Sequence, residues 1–147
     1  MSNTEPLPLS MTHQVRDTCL CLHVQRAARA LARRFDELFR PLELTNGQFS
    51  LLMSLNRPTP PRISDVSDLL AMDRTTLTAA LKPLQRRGLV KVSIDKTDKR
   101  GRRLTLTAAG RKLLAAAVPL WKREHAAIEK LLTGDATRLR SDLIALS

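Results

Sequence analysis

Residues 73–112 read DRTTLTAALKPLQRRGLVKVSIDKTDKRGRRLTLTAAGRK, and in that order they describe an amphipathic helix followed by a basic hairpin. Asp73 is well suited to cap the helix, because its carboxylate can accept amides left open in the first turn. Leu77, Leu81 and Leu84 follow i, i+4 and i+7, while Thr75, Ala79, Lys82 and Arg86 keep the same spacing on the other side. One face packs; the other is small, hydroxylated and basic. Gly88 ends the helix as a C-cap, and Val90, Val92 and Ile94 alternate with Lys91 and Ser93 as in a half-buried strand. A polar loop from Asp95 to Arg102, containing Gly101, leads to a second strand at Leu104-Thr105-Leu106. Pro83 lacks the amide that would bond to Ala79, so a slight bend is predicted there.

The same stretch holds 12 Lys and Arg against three acids, Asp73, Asp95 and Asp98; 12 minus 3 leaves nine of the chain's +11. Charge that concentrated attracts polyanions and releases counterions when it meets phosphates. Aromatic residues are only 3% of the chain and Tyr is absent, so a stacking platform for single strands has little to be built from. Duplex DNA is the predicted partner.

Working outward, residues 1–11 contain Pro6 and Pro8, lack periodicity and read as a flexible arm. Residues 12–42 form a long amphipathic helix in which Val24, Ala27, Ala28, Leu31, Phe35, Leu38, Phe39 and Leu42 recur at threes and fours. Its other face carries Arg26, Arg29, Arg33, Arg34 and Arg40, and Pro41 marks its end. Thr45 caps a second helix through Phe49, Leu52, Met53 and Leu55, which stops before Pro58, Pro60 and Pro61. Ser64 or its neighbour starts a third, short helix with Val66, Leu69 and Leu70 inward, and a tight turn follows at Ala71-Met72. Downstream, Thr107 caps a long helix with its seam through Leu114, Ala117, Trp121, Ile128, Leu131 and Leu132, kinked at Pro119. Gly134 breaks it before a last helix bearing Leu139, Leu143 and Leu146.

The whole is 147 residues, 43% hydrophobic and 27% charged, a composition that suits one globular domain. No apolar run approaches the ~20 residues of a membrane helix, and the first ten residues lack a secretory pattern, so the reading is cytoplasmic with no membrane partner. Cys19 and Cys21 lie two apart, which on a helix turns them to nearly opposite sides and predicts reduced thiols.

Helix, turn, helix and hairpin in succession describe a winged helix-turn-helix. The second helix of the pair can enter a major groove and present Arg74, Thr75, Thr76, Thr78 and Lys82 to base edges and phosphates. Arg100 and Arg102 at the hairpin tip can reach the adjacent minor groove, where negative potential favours arginine. Ser64, Arg86 and Lys99 complete the predicted DNA-facing set.

At these residues the sequence resembles the MarR (multiple antibiotic resistance regulator) family of transcription factors. The matching pieces are Leu44-Thr45, Asp73-Arg74-Thr75-Thr76-Leu77-Thr78, Arg87-Gly88-Leu89-Val90, the wing from Asp95 to Arg100, and Leu104-Thr105-Leu106-Thr107. The resemblance implies a mainly α fold with a β-hairpin wing, in which residues 12–42 and 108–147 supply dimerisation helices and 45–107 the DNA-binding winged helix. It implies a homodimer on a palindromic operator, usually a repressor, released by a small-molecule effector. Long apolar seams at both ends, with no third element in one chain to cover them, point to a homodimer independently. By the same analogy Arg16, Cys21, Gln25, Asn46, Phe49 and Met53 line an effector crevice, and Arg16 would suit the carboxylate of an aromatic or other organic acid.

Several other readings compete. Cys21 falls where the peroxide-sensing branch of the family keeps its reactive cysteine, which makes a thiol-based regulator an alternative. That branch supports the thiolate with two tyrosines, whose positions here hold Phe35 and Asn46, and without such donors a buried thiol stays protonated. An architectural DNA binder with no effector and a protein-interaction winged helix are further alternatives. Cys19 and His23 share a face, but two cysteines and three histidines show no zinc-like spacing, so no metal or cofactor is predicted. A Gly-rich phosphate loop and a nucleophile elbow are both absent, and no enzyme is predicted.

Overall fold

The computed structural model describes residues 5–147. In chain order it holds helices α1 (Leu9–Thr18) and α2 (Leu20–Phe39), a 3-10 turn (Arg40–Leu42), α3 (Asn46–Ser54), α4 (Ile63–Leu70), α5 (Arg74–Arg86), strands β1 (Val90–Ile94) and β2 (Arg102–Leu106), and helices α6 (Ala108–Glu129) and α7 (Ala136–Ala145). The chain divides into two compact units, residues 1–34 and 35–147, with the boundary inside α2.

In the first unit the predicted arm is shorter than expected. Its residues 1–4 lie outside the described residues, and Leu9–Met11 already belong to α1, which Pro8 precedes in extended backbone. The predicted single helix from residue 12 is also interrupted. Cys19 adopts φ −68° and ψ 112°, so α1 stops and α2 starts anew, with the His23 amide and ring both meeting the Cys19 carbonyl (3.1 and 2.7 Å). The two cysteines therefore do not share a helix; Cys19 is half-buried and Cys21 exposed. Leu9, Val15, Leu20 and Leu31 all face solvent.

The second unit closes around Phe39, Leu52, Val66, Leu77, Leu81, Leu84 and Leu104, all fully buried. Phe35, Phe39 and Phe49 form a run of stacked rings with centroids 5.9 and 4.6 Å apart. Local chemistry sets the helix starts as the sequence predicts. The Thr45 hydroxyl accepts from the Gln48 amide (3.1 Å) while the Gln48 side chain accepts from the Thr45 amide (3.1 Å), a reciprocal cap. The Thr107 hydroxyl accepts from the Gly110 amide (3.1 Å) and donates to the Gly88 carbonyl (2.7 Å), tying α6 to the end of α5. A methyl group at Gly110 would lie 2.4 Å from the Leu89 carbonyl and 2.6 Å from Leu106 Cδ1, so this position requires glycine for close approach.

Several expectations need correction. Leu69, predicted to point inward, is 60% exposed, and Ile94 is 59% exposed, because α4 and β1 present only one face to the core. Helix α6 ends at Glu129, so Leu131 and Leu132 fall in the connector to α7 rather than on the seam. Pro83 and Pro119 lie inside α5 and α6 as predicted, and neither proline ends its helix. Strand β2 begins two residues earlier than predicted, at Arg102, and pairs antiparallel with β1 in the register Val90 with Leu106 and Ile94 with Arg102. No described helix is long and apolar enough to cross a membrane.

Candidate nucleic-acid interface

Two loops bring α5 into position. Ala71 takes the left-handed conformation, φ 52°, and turns the chain from α4 towards α5. Asp73 then caps the new helix: one carboxylate oxygen accepts from the Thr76 amide (2.8 Å), the other from the Thr76 hydroxyl (2.7 Å). These bonds, the hydroxyl's first, hold the Asp73 carboxyl below the usual carboxylate range. With Leu77, Leu81 and Leu84 buried, Arg74, Thr75, Thr78, Lys82 and Arg86 are all left on the exposed surface.

The hydroxyls of that surface are not equivalent. Thr76 donates to Asp73, and Thr78 donates to the Arg74 carbonyl one turn back (2.7 Å). Thr75 makes no such side-chain bond among the described residues, which leaves its hydroxyl the freest for an external partner.

The hairpin is built on a carboxylate that sequence reading counted only as a charge. Asp95 is 3% exposed, and one of its oxygens accepts from the amide (3.1 Å) and hydroxyl (3.0 Å) of Thr97. Its other oxygen lies 3.0 Å from Arg62 Nε and 3.5 Å from Arg103 Nε. That oxygen makes no well-aligned hydrogen bond, so the pairing is electrostatic in character, with two guanidiniums sharing one acceptor. The Thr97 amide chiefly, with its hydroxyl and then Arg103 and Arg62, holds the Asp95 carboxyl below the usual range against the opposing effect of burial.

Arg62 thus joins the start of α4 to the hairpin. It also bridges Arg103 as an isolated antiparallel pair, and the Leu104 amide donates to the Pro61 carbonyl (2.9 Å), so a third extended segment borders β2. The signal for it was present in Pro60-Pro61, since a residue before proline is held in extended backbone. At the tip, the Gly101 amide donates to the Asp98 carbonyl (2.9 Å) and the Arg100 amide to the Asp98 carboxylate (3.0 Å). The Arg100 side chain projects beyond this turn, 97% exposed, with Lys99 exposed beside it.

The pieces meet in one cleft of about 290 Å³, lined by Arg62, Ser64, Arg74, Arg100 and Arg102 with Asp95 and Asp98. Of the ten predicted DNA-facing residues, Ser64, Arg74, Arg100 and Arg102 line this cleft, and Thr75, Thr76, Thr78, Lys82, Arg86 and Lys99 do not. Some cations of the stretch are held by the chain's own carbonyls. Arg102 donates to the Lys99 and Gly101 carbonyls (3.2 and 3.1 Å), Arg103 to the Pro60 carbonyl (2.9 Å), Arg111 to the Leu106 carbonyl (2.8 Å), and Arg87 to the Glu43 carbonyl (2.6 Å).

Of the six residues expected to line an effector crevice, Phe49 and Met53 border an apolar hollow of about 420 Å³ with Ser50, Ser54, Leu69, Leu70, Val118 and Trp121. Asn46 is engaged elsewhere. Its amide and side-chain nitrogen both donate to Asp36 (2.7 and 2.8 Å), which lowers the Asp36 carboxyl below its usual range. Arg16, Cys21 and Gln25 belong to the first unit, where Arg16 pairs with Asp17 (2.7 Å) and Gln25 donates to the Cys21 sulfur (3.2 Å).

The MarR family profile matches residues 44–101, the stretch from the α3 cap to the wing tip. HTH-type transcriptional regulator TtmR of Methylorubrum extorquens (strain PA1) is 34% identical over 100 residues, 68% of this chain and 51% of TtmR, so the match spans about half of that relative's length. Transcriptional regulator HosA of Escherichia coli O111:H- is 31% identical over 104 residues, 69% of this chain and 76% of HosA. Among solved structures, the M. tuberculosis transcriptional regulator MosR in complex with DNA aligns at a TM-score of 0.80 and 39% identity, covering 88% of this chain and 93% of MosR. Winged helix, basic cleft and these relatives lead to one assignment: the chain belongs to the MarR family of DNA-binding transcription regulators.

Proposed function

We propose that this protein is a homodimeric, operator-specific regulator of the repressor type, with α5 in the major groove and the wing tip in the flanking minor groove. The observation that carries the reading is the shared cleft in which Ser64, Arg74, Arg100 and Arg102 converge beside the open face of α5. Arg74, Lys82, Arg86 and Lys99 are assigned to phosphates, Thr75, Thr76 and Thr78 to groove contacts near bases, and Arg100 to the minor groove. In a two-fold dimer the two recognition helices sit about 34 Å apart and read a palindrome. Exposed apolar side chains support the dimer: Leu20 and Leu31 near one end, Leu139, Leu143 and Ile144 near the other.

Release by a small molecule is the second element of the proposal. The hollow beside Phe49 and Trp121 has a volume suited to a small organic ligand, and an aromatic compound fits its lining best. Its lining residues include no cation, which favours an uncharged ligand over the carboxylic acid expected from sequence. A ligand that prefers a dimer with mismatched helix spacing needs a coupling of only about 1–3 kcal/mol to act as a switch. The protein would work in the cytoplasm, where its operator lies.

The test is to select bound sites from random duplexes and then titrate small molecules against the selected complex. A palindromic consensus released by a neutral aromatic compound is the expected result. Sequence-independent binding with a steep salt dependence would instead identify an architectural protein.

A further inference from the structure

We propose that Arg87 is a positioning residue that sets the aim of the recognition helix without touching DNA, an inference that rests on the DNA-binding reading of α5. Arg87 is the residue on which α5 ends. Its guanidinium donates to the carbonyl of Glu43 (2.6 Å) and approaches that of Leu42 (3.4 Å), 44 and 45 residues away in the chain. Both acceptors belong to the corner by which α2 passes into α3.

That corner is a demanding place. Glu43 is left-handed, φ 54°, and its amide returns to the Arg40 carbonyl (2.9 Å) while the Leu44 amide returns to Phe39 (3.3 Å). The Glu43 and Leu42 carbonyls receive no backbone amide among the described residues. A planar guanidinium reaches two neighbouring carbonyls at once, whereas an ammonium acts as a single point charge. On the far side of the corner, Asp36 accepts from the Asn46 amide and side chain. Two independent clasps thus hold one bend, and Arg87 is the clasp that fastens the recognition helix to it.

The lever is long. Arg87 lies 13 residues from Arg74, which at 1.5 Å per residue is roughly 20 Å along the helix. Loosening the far end re-aims the reading end while leaving Arg74, Thr75 and Lys82 in place on the helix. Neighbouring Arg86 serves as the control, because it is exposed and makes no ion pair or hydrogen bond through its side chain among the described residues.

The experiment measures affinity of the full chain for a duplex it has selected and for a scrambled duplex, over a series of salt concentrations, for wild type, Arg87→Met, Arg87→Lys and Arg86→Met. Arg87→Met is expected to weaken binding to the selected duplex about tenfold, corresponding to ~1.4 kcal/mol, with scrambled-duplex affinity and salt slope unchanged. Arg87→Lys restores part of the discrimination. Arg86→Met lowers the slope by about 0.9, the signature of one lost phosphate contact. Should Arg87→Met lower the slope as Arg86→Met does, Arg87 is a phosphate ligand and the proposal is overturned. Unchanged discrimination overturns it too, as does a fall in melting temperature with both affinities intact. If Arg87→Met does not fold, Arg87→Lys decides by the same criteria. A wild-type chain that binds no duplex overturns the DNA-binding reading of α5 itself.

Discussion

Helix α5 and the hairpin carry comparable positive charge and hold it in opposite ways. On α5 the side chains of Arg74, Lys82 and Arg86 reach solvent with no ion pair or hydrogen bond among the described residues. In the hairpin, Arg62 and Arg103 close on Asp95, and Arg102 folds back on its own turn. The difference follows from what each element has to pack. Three buried leucines anchor α5 along its length, whereas the hairpin is buried at its base through Val90, Leu104 and Leu106 and needs polar fastening towards its exposed tip. Four of the 12 cations in residues 73–112, namely Arg87, Arg102, Arg103 and Arg111, donate to the chain's own carbonyls, and Arg100 lies 3.9 Å from the Asp98 carboxylate, so 12 minus 5, or seven, have no internal partner among the described residues. Net charge measures attraction; it overstates contact.

The contrast is broken most directly at Asp95. Asp95→Ala leaves Arg62 and Arg103 without their carboxylate and removes the fastening that aims both Lys99 and Arg100. Losing two aimed contacts at about tenfold each predicts a roughly hundredfold weaker operator complex, measured by fluorescence anisotropy. Binding within about threefold of wild type would mean that the hairpin keeps its shape without the carboxylate.

Arg100→Ala comes next. It deletes one exposed side chain and leaves the turn intact, so operator affinity drops about tenfold, by ~1.4 kcal/mol, with the circular dichroism melt unchanged. An unaltered affinity would remove the wing tip from the interface.

The threonines sharpen the helix side of the comparison with smaller effects. Thr75→Ala relaxes base preference in a selected-site panel at constant melting temperature. Thr76→Ala lowers the melting temperature by about a few degrees, since its hydroxyl belongs to the Asp73 cap. An unchanged melt for Thr76→Ala shows that the cap does not depend on that hydroxyl.

Acid titration gives the smallest and most graded readout. Asp73 and Asp95 both have lowered carboxyl values in the fold. Their stabilisation is therefore complete above the unfolded carboxylate value of about 4 and is lost as pH falls through the lower folded values. The melting temperature holds between about pH 5 and 7 and declines below about pH 4, and Asp95→Asn makes that decline shallower. An identical decline in Asp95→Asn would place the acid sensitivity elsewhere.

What the sequence showed, and what it hid, divides along the same line between local and distant interactions. The caps at Thr45, Asp73 and Thr107 were legible because each is settled within three residues. The leucine spacing of α5 identified its buried face for the same reason. Arg62, Asp95 and Asn46 were not assigned their roles, because their partners lie 33, 8 and 10 positions away or come from another element. Periodicity also placed Leu69 and Ile94 inward, although each sits at an edge where the neighbouring element runs out. The break at Cys19 carries no glycine or proline, and no local signal in the sequence marks it.

Trp121 has a practical consequence beyond packing. It is the chain's single tryptophan, and tyrosine is absent, so ultraviolet emission excited at long wavelength reports one address in the fold. That address borders the apolar hollow and stacks on the His125 ring at 4.7 Å, with Glu129 3.6 Å from the imidazole and bonded in turn by Arg140 of α7. The molecule carries a native optical probe, set between the apolar hollow on one side and the terminal helix on the other.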